Sequence, residues 1–153
     1  MAEKKKTIEL LEKLRLRNYK SAFIYRIAYM NEKRLALRSL YFNLHKQKLD
    51  FLKDIENTIE QLKREISPIK DPKLLAFYKR KRCELNNYYL KYKMRESFKR
   101  VYEREVKSYK KYKKYLSRVN HACVRELLLS HKHDLKKNLQ EMNHTGIGKF
   151  LMA

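Results

Sequence analysis

The chain has 153 residues, 37% of them charged and 43% hydrophobic, and 39 Lys/Arg against 17 Asp/Glu give a formal net charge of +22. That length and mixture fit one domain of amphipathic helices, and no apolar run nears the roughly 20 residues of a membrane helix. The basic start MAEKKK lacks the apolar stretch of an export signal, and Cys83 and Cys123 form no CxxC, so a cytoplasmic chain with free thiols is expected.

The charge is concentrated. Residues 1–72 hold 17 Lys/Arg against 10 Asp/Glu, residues 73–119 hold 17 against 4, and residues 120–153 hold 5 against 3. A net of +13 therefore falls in the middle segment. Helix breakers are as localised: Pro68 and Pro72 are the only prolines, Gly146 and Gly148 the only glycines. Long helices on either side of one internal turn follow, because Pro and Gly are the residues that make helix costly.

In chain order, the first helix is expected to start after Thr7 as its N-cap, with Glu9 and Glu12 near the positive end of the helix dipole. Leu11, Leu14, Ala22, Tyr25 and Tyr29 share its apolar stripe, which fades near Asn31. A second helix carries Leu37, Leu40, Tyr41, Leu44, Phe51, Leu52, Ile55, Ile59 and Leu62 at helical spacing up to Ile66. Residues 67–72 read as a turn, with Asp71 capping and Pro72 at the first helical position beyond it.

Residues 73–117 contain no breaker, yet one helix of that length would be about 67 Å long, more than a compact domain can cover. A bend near residues 91–95 is therefore expected. It separates a connecting helix at about 73–91 from a core helix at about 95–117. The last helix is expected from near Asn120 to about Asn143, with His144, Thr145 and Gly146 as its stop. The whole chain, 1–153, reads as a single helical-bundle domain with a core at about 7–144, a short flexible N-terminus and a C-terminal tail.

Projected at about 100° per residue, each core helix carries one polar residue in its apolar stripe near mid-length. These are Asn18, Lys48, Glu105 and His131. On the third core helix Phe98, Tyr102, Val106, Tyr109, Tyr112 and Leu116 flank Glu105; on the last, Val124, Leu127, Leu128, Leu135 and Met142 flank His131. Midpoints of bundled helices meet at one level, which predicts a buried polar layer in which Lys48 pairs with Glu105 while Asn18 and His131 complete the hydrogen bonds. The competing reading is a metal site in the bundle centre using Glu105 and His131, extended by Glu141 and His144 of the chain's one Glu-x-x-His. A lysine where cation ligands should converge argues for the ion pair, so no metal and no cofactor are expected. No nucleophile or phosphate-loop pattern appears, and no catalytic residue is expected.

The basic segment interleaves lysine with tyrosine. Tyr78 precedes Lys79, Arg80, Lys81 and Arg82, and on the third core helix Lys107, Lys110, Lys111, Lys114 and Arg118 form an outer face opposite Tyr109 and Tyr112. Helical spacing assigns the tyrosines to the core and leaves the lysines as an anion-binding surface, suited to phosphate contacts.

These residues resemble a family of small bacterial ferritin-like four-helix-bundle proteins known only as a domain of unknown function. The likeness lies in Leu11 and Leu14 with Tyr25 and Ala28, in Leu40, Tyr41 and Leu44 with Gln47, Phe51, Asp54 and Ile55, in Glu105, Tyr112 and Leu116, and in Val124, Arg125 and Leu127. It implies an all-α, ferritin-like four-helix bundle with an extra helix connecting core helices 2 and 3. It brings no activity with it. The expected role is non-enzymatic: a binding or structural protein whose basic surface meets an anionic partner, nucleic acid or acidic protein. The alternatives are a metal-binding or redox protein and a self-assembling stress or scaffold protein forming a homo-oligomer.

Overall fold

The computed structural model describes residues 2–66 and 98–144, without the side chain of His144. Four helices fill them: α1 (Ala2–Asn31), α2 (Leu35–Ile66), α3 (Phe98–Leu116) and α4 (Ala122–His144). The expected turn at residues 67–72, the connecting helix at 73–91, the bend at 91–95 and the stop at Thr145 and Gly146 lie outside the described residues.

Helix α1 begins earlier than the capping argument placed it. Thr7 is not an N-cap: its Oγ1 donates to the carbonyl of Glu3 at 3.0 Å, inside the helix. The N-terminal lead-in is helical from Ala2, with Lys4 on Glu65 (3.0 Å) and Asn120 donating to Glu3 Oε1 (2.9 Å). Helix α4 starts at Ala122, close to the expected Asn120, and the carbonyl of His121 accepts from the amide of Arg125 at 2.9 Å. Arg125 Nη1 turns back onto the carbonyls of Leu116 and Val119, both at 2.8 Å, and so satisfies the open end of α3.

Cross-helix contacts give the directions. Lys4 with Glu65, Arg15 with Glu56 and His45 with the Ala22 carbonyl make α1 and α2 antiparallel. Arg17 with Ser108 and Arg104 with Ser21 do the same for α1 and α3. Asp54 with His131 and Gln47 with Asn138 do so for α2 and α4. Tyr112 with His131 and Glu105 with Asn138 complete the set for α3 and α4. Every neighbouring pair is thus antiparallel. The diagonal pair α2 and α3 runs in one direction, as Lys48 on Glu105 and Phe51 on Tyr112 require.

Buried positions repeat at alternating spacings of three and four. They are Thr7, Leu11, Leu14, Asn18, Ser21, Tyr25 and Ala28 on α1, and Leu37, Tyr41, Leu44, Lys48, Phe51 and Ile55 on α2. This is the seam of near-parallel helices packed knobs into holes. On α3 the inward face is Phe98, Val101, Glu105, Ser108, Tyr112 and Tyr115, continued by Val119. Tyr102, Val106 and Tyr109, expected on that face, are only half-buried, so the helix is turned by about one position from the stripe drawn on hydropathy alone. Small Ser108 is buried there because Arg17 Nε donates to its hydroxyl at 3.0 Å. Leu127 of α4 and Leu40 of α2 are likewise half-buried flanks of the core.

The apolar core is in two parts. One gathers Leu11, Leu14, Phe51, Ile55, Tyr112, Leu128 and Leu135, and the other gathers Ile24, Ala28, Leu37, Tyr41, Val101 and Met142. Fully buried aliphatics such as Leu14, Ile55 and Leu135 each contribute about 1.5–3 kcal/mol relative to exposure. Polar side chains occupy the level between the two parts.

Candidate functional site

Asn18, Lys48, Glu105 and His131 are all buried, Lys48 and Glu105 with 0% of their side chains exposed. They do not form one closed layer. They divide into two hydrogen-bonded groups on either side of Phe51, whose ring lies 4.9 Å from Lys48 Nζ and 3.8 Å, stacked, from His131.

The first group centres on Glu105. Lys48 Nζ lies 3.0 Å from Oε1 and 3.1 Å from Oε2, and donates also to Gln47 Oε1 at 3.0 Å. Tyr25 donates its hydroxyl to Oε1 at 2.7 Å, and Asn138 Nδ2 donates to Oε2 at 3.2 Å. Asn138 also donates to Gln47 Oε1 at 2.6 Å, closing the ring of contacts. Burial pushes the Lys48 ammonium down from the ordinary lysine range, with the charge and hydrogen bonding of Glu105 opposing. Burial, and then the charge of Glu105, raise Tyr25 well above an ordinary phenol, so its hydroxyl stays a donor.

The second group is a chain leading outward. Asn18 Nδ2 donates to the Leu14 carbonyl at 2.8 Å and to Tyr112 Oη at 2.9 Å. Tyr112 Oη lies 2.9 Å from His131 Nδ1, and His131 Nε2 lies 3.0 Å from Asp54 Oδ2. Asp54 is a carboxylate with 53% of its side chain exposed, so Nε2 carries the proton and donates, and Nδ1 accepts from the tyrosine. Burial lowers the His131 basicity, against the hydrogen bond and charge of Asp54, and favours this neutral ring. Burial also raises the Tyr112 phenol. The expected role of Asn18 and His131 is therefore corrected: they bond to each other through Tyr112, not to the Lys48–Glu105 pair.

Because Tyr112 satisfies both neighbours, removing its hydroxyl is costly out of proportion to one atom. Tyr112→Phe is expected to lose about 1–3 kcal/mol, since Asn18 loses one acceptor and His131 its donor in a dry site. Urea unfolding of the variant measures it, and an unchanged midpoint would contradict the chain of bonds.

Tyr25, Gln47, Asp54, Tyr112 and Asn138 join the site without having been singled out as polar partners. Asn138 was findable. The spacing Val124, Leu128, His131, Leu135, Met142 leaves position 138 as the missing inward step. Gln47 and Asp54 carried no such signal, because each lies beside the stripe of α2.

The donor set has a chemical consequence. Glu105 is neutralised by an ammonium touching both its oxygens, and both nitrogens of His131 already have partners. Among the described residues no group of three His, Cys, Asp or Glu side chains is arranged to hold a metal ion. Glu141 is exposed on the rim of an open groove between α2 and α4 that Lys46 and Lys137 share with Asp50 and Asp134.

On the outer surface, exposed cations exceed exposed acids most strongly on α3. On α1 and α2, Lys4 pairs with Glu65, Arg15 with Glu56, Lys63 with Glu12 and Arg64 with Glu60. On α3, Lys107, Lys110, Lys111, Lys114 and Arg118 are exposed, as are Lys99 and Lys113, and the exposed acid of that helix is Glu103. None of those seven cations makes an ion pair among the described residues. Lys79, Arg80, Lys81, Arg82 and Cys83 lie outside the described residues, and Cys123 is exposed as a free thiol. No helix among the described residues is long and apolar enough to cross a membrane. No family model, no curated protein and no solved structure matches the chain.

Proposed function

We propose that the chain is a non-enzymatic, ferritin-like helical-bundle protein whose basic face binds an anionic macromolecule, nucleic acid or acidic protein. Support for the ferritin-like arrangement comes from the helix directions. Two antiparallel pairs whose second and third members run the same way need one long connection between them, the path of that class of bundle. Support for a non-catalytic interior comes from the Lys48–Glu105 pair, which has no exposed atom to meet a substrate.

The observation that carries the partner is the uneven distribution of charge. Glu12, Glu56, Glu60 and Glu65 of α1 and α2 are paired with nearby bases, whereas α3 turns outward a row of lysines that make no ion pair among the described residues. Such a row attracts polyanions and gains affinity by releasing their counterions. No groove-reading motif accompanies it, so the binding is to backbone charge and not to sequence.

A salt titration tests this. Affinity for single-stranded DNA, RNA and an acidic polypeptide is measured from low to moderate salt. The slope of log affinity against log salt is expected to shrink by about 2 in Lys107→Gln/Lys110→Gln/Lys114→Gln when the partner is a single strand, at about 0.7 per lost phosphate contact. Affinity for all three polymers that does not change with salt would overturn the proposal.

A further inference from the structure

Along the seam between α1 and α3, Arg17 and Arg104 reach across with Lys20 one turn away on α1, and no carboxylate is bonded to any of the three among the described residues. Arg17 reaches from α1 to α3, its Nε donating to Ser108 Oγ at 3.0 Å and its Nη2 lying 3.5 Å from the Arg104 carbonyl. Arg104 reaches back, with Nη1 3.5 Å from Ser21 Oγ. The two guanidinium groups cross the same gap in opposite directions, one helical turn apart. Buried Ser21 and Ser108, short side chains at the two crossing points, leave room for both.

Lys20 lies three residues on from Arg17, on the same side of α1, and is half-buried. Burial first, and then the charges of Arg104 and Arg17, push its ammonium down; burial and Arg104 act in the same direction on Arg17. Glu105 lies deeper, bonded to Lys48, Tyr25 and Asn138, so it offsets Arg17 through its field alone. All three cations are half-buried, which weakens solvent screening of their mutual repulsion. An anion bound between like charges held this way relieves their mutual repulsion.

We infer that this seam is a cradle for a phosphoryl group, held by the remaining N–H donors of Arg17 and Arg104 together with Lys20. Paired guanidinium forks match the oxygens of a phosphate, and a half-desolvated setting strengthens each bond. Lys13 on α1 and Lys111 on α3 are exposed on the same two stripes, which gives a second phosphate of one strand cations to meet. The inference deepens the anionic-partner reading by naming the recognised chemistry, and it rests on that reading only where the phosphate belongs to a polymer.

The test uses the full chain with inorganic phosphate and with a single-stranded oligonucleotide as separate probes. Phosphate is expected to raise the melting temperature of the wild type beyond chloride of equal ionic strength. Arg104→Gln should abolish that rise without lowering the melting temperature in chloride, because it relieves repulsion. Arg104→Lys should keep only part of it, as charge without the fork. The triple outer-face variant Lys107→Gln/Lys110→Gln/Lys114→Gln should keep it whole.

A tenfold or larger loss of oligonucleotide affinity in Arg104→Gln assigns the cradle to a strand backbone. Unchanged strand affinity with the phosphate rise lost assigns it to free phosphate. A phosphate rise that survives Arg104→Gln, or that is missing in the wild type, overturns the cradle. The outer-face reading is judged separately, by the triple variant and salt.

Discussion

Lys48→Met is expected to lower folding stability by about 3–5 kcal/mol, the cost of leaving a buried carboxylate without its counter-charge. The size follows from how completely Glu105 is enclosed. With Lys48 gone, Tyr25 and Asn138 still donate to it, at 2.7 and 3.2 Å, but neither carries charge. Gln47 also loses a donor to its carbonyl oxygen. Glu105 then either stays ionised in a dry interior or takes up a proton, and both states cost free energy at neutral pH. Lys48→Met with Glu105→Gln should recover most of the loss, because an amide keeps an acceptor for Tyr25 and needs no counter-charge. Urea unfolding of the two variants and the wild type decides it. Equal destabilisation of single and double variants would mean that the cost is one of packing, and the pair would lose its place as the centre of the core.

The polar tier was readable because it interrupts a strong pattern. Asn18, Lys48, Glu105 and His131 each occupy a place where the heptad spacing asks for an apolar residue, and the burial of each agrees with that spacing. Their partnering was not readable to the same extent. Which polar residues touch depends on the height of each helix relative to its neighbours, and one turn of offset moves a side chain by about 5.4 Å. The rungs Asn18 with Tyr112 and Tyr25 with Glu105 differ by two turns along α1, so a layer expected to be flat is two linked groups. Hydropathy also misplaced the face of α3. Tyrosine scores as apolar at Tyr102 and Tyr109 and serine as polar at Ser108, yet Arg17 makes the serine the inward residue.

The start of α1 was misplaced for a related reason, although the ends at Asn31 and Ile66 and the start of α4 near Asn120 agree with the structure. Thr7 is a good capping residue by type, but its hydroxyl bonds within its own helix, so it marks no boundary. The basic face of α3 was legible as a surface from helical spacing alone. The Arg17–Lys20–Arg104 seam was not, because its members come from two helices whose neighbourhood no single-helix projection contains.

Among the described residues His131 is a buried titratable group flanked by Leu128 and Leu135 of the apolar core, and that gives acid a specific point of attack. His131 is neutral in the fold, with Nδ1 accepting from Tyr112 and its basicity lowered by burial, although Asp54 by bond and Asp134 by charge pull the other way and Lys48 adds to the lowering. In the unfolded chain the same group titrates near its ordinary value of 6.5. Below that pH the unfolded state binds the proton more readily than the folded state, so unfolding is favoured as pH falls. Stability from this residue is therefore complete above about 6.5 and is lost progressively toward the lower folded value. Once protonated, Nδ1 becomes a donor facing the Tyr112 hydroxyl, which already accepts from Asn18 and then has no acceptor for its own proton.

His131→Phe separates this effect from the general repulsion of a highly cationic chain in acid. The ring keeps its stacking on Phe51 but cannot titrate. At pH 7 the variant should be less stable by about 1–3 kcal/mol, the cost of the Tyr112 hydroxyl losing its acceptor. Between pH 7 and 5 the wild type should fall more steeply, and the gap between the two should narrow. Urea midpoints across that range measure it, and two parallel curves would show that acid destabilises the bundle without passing through His131.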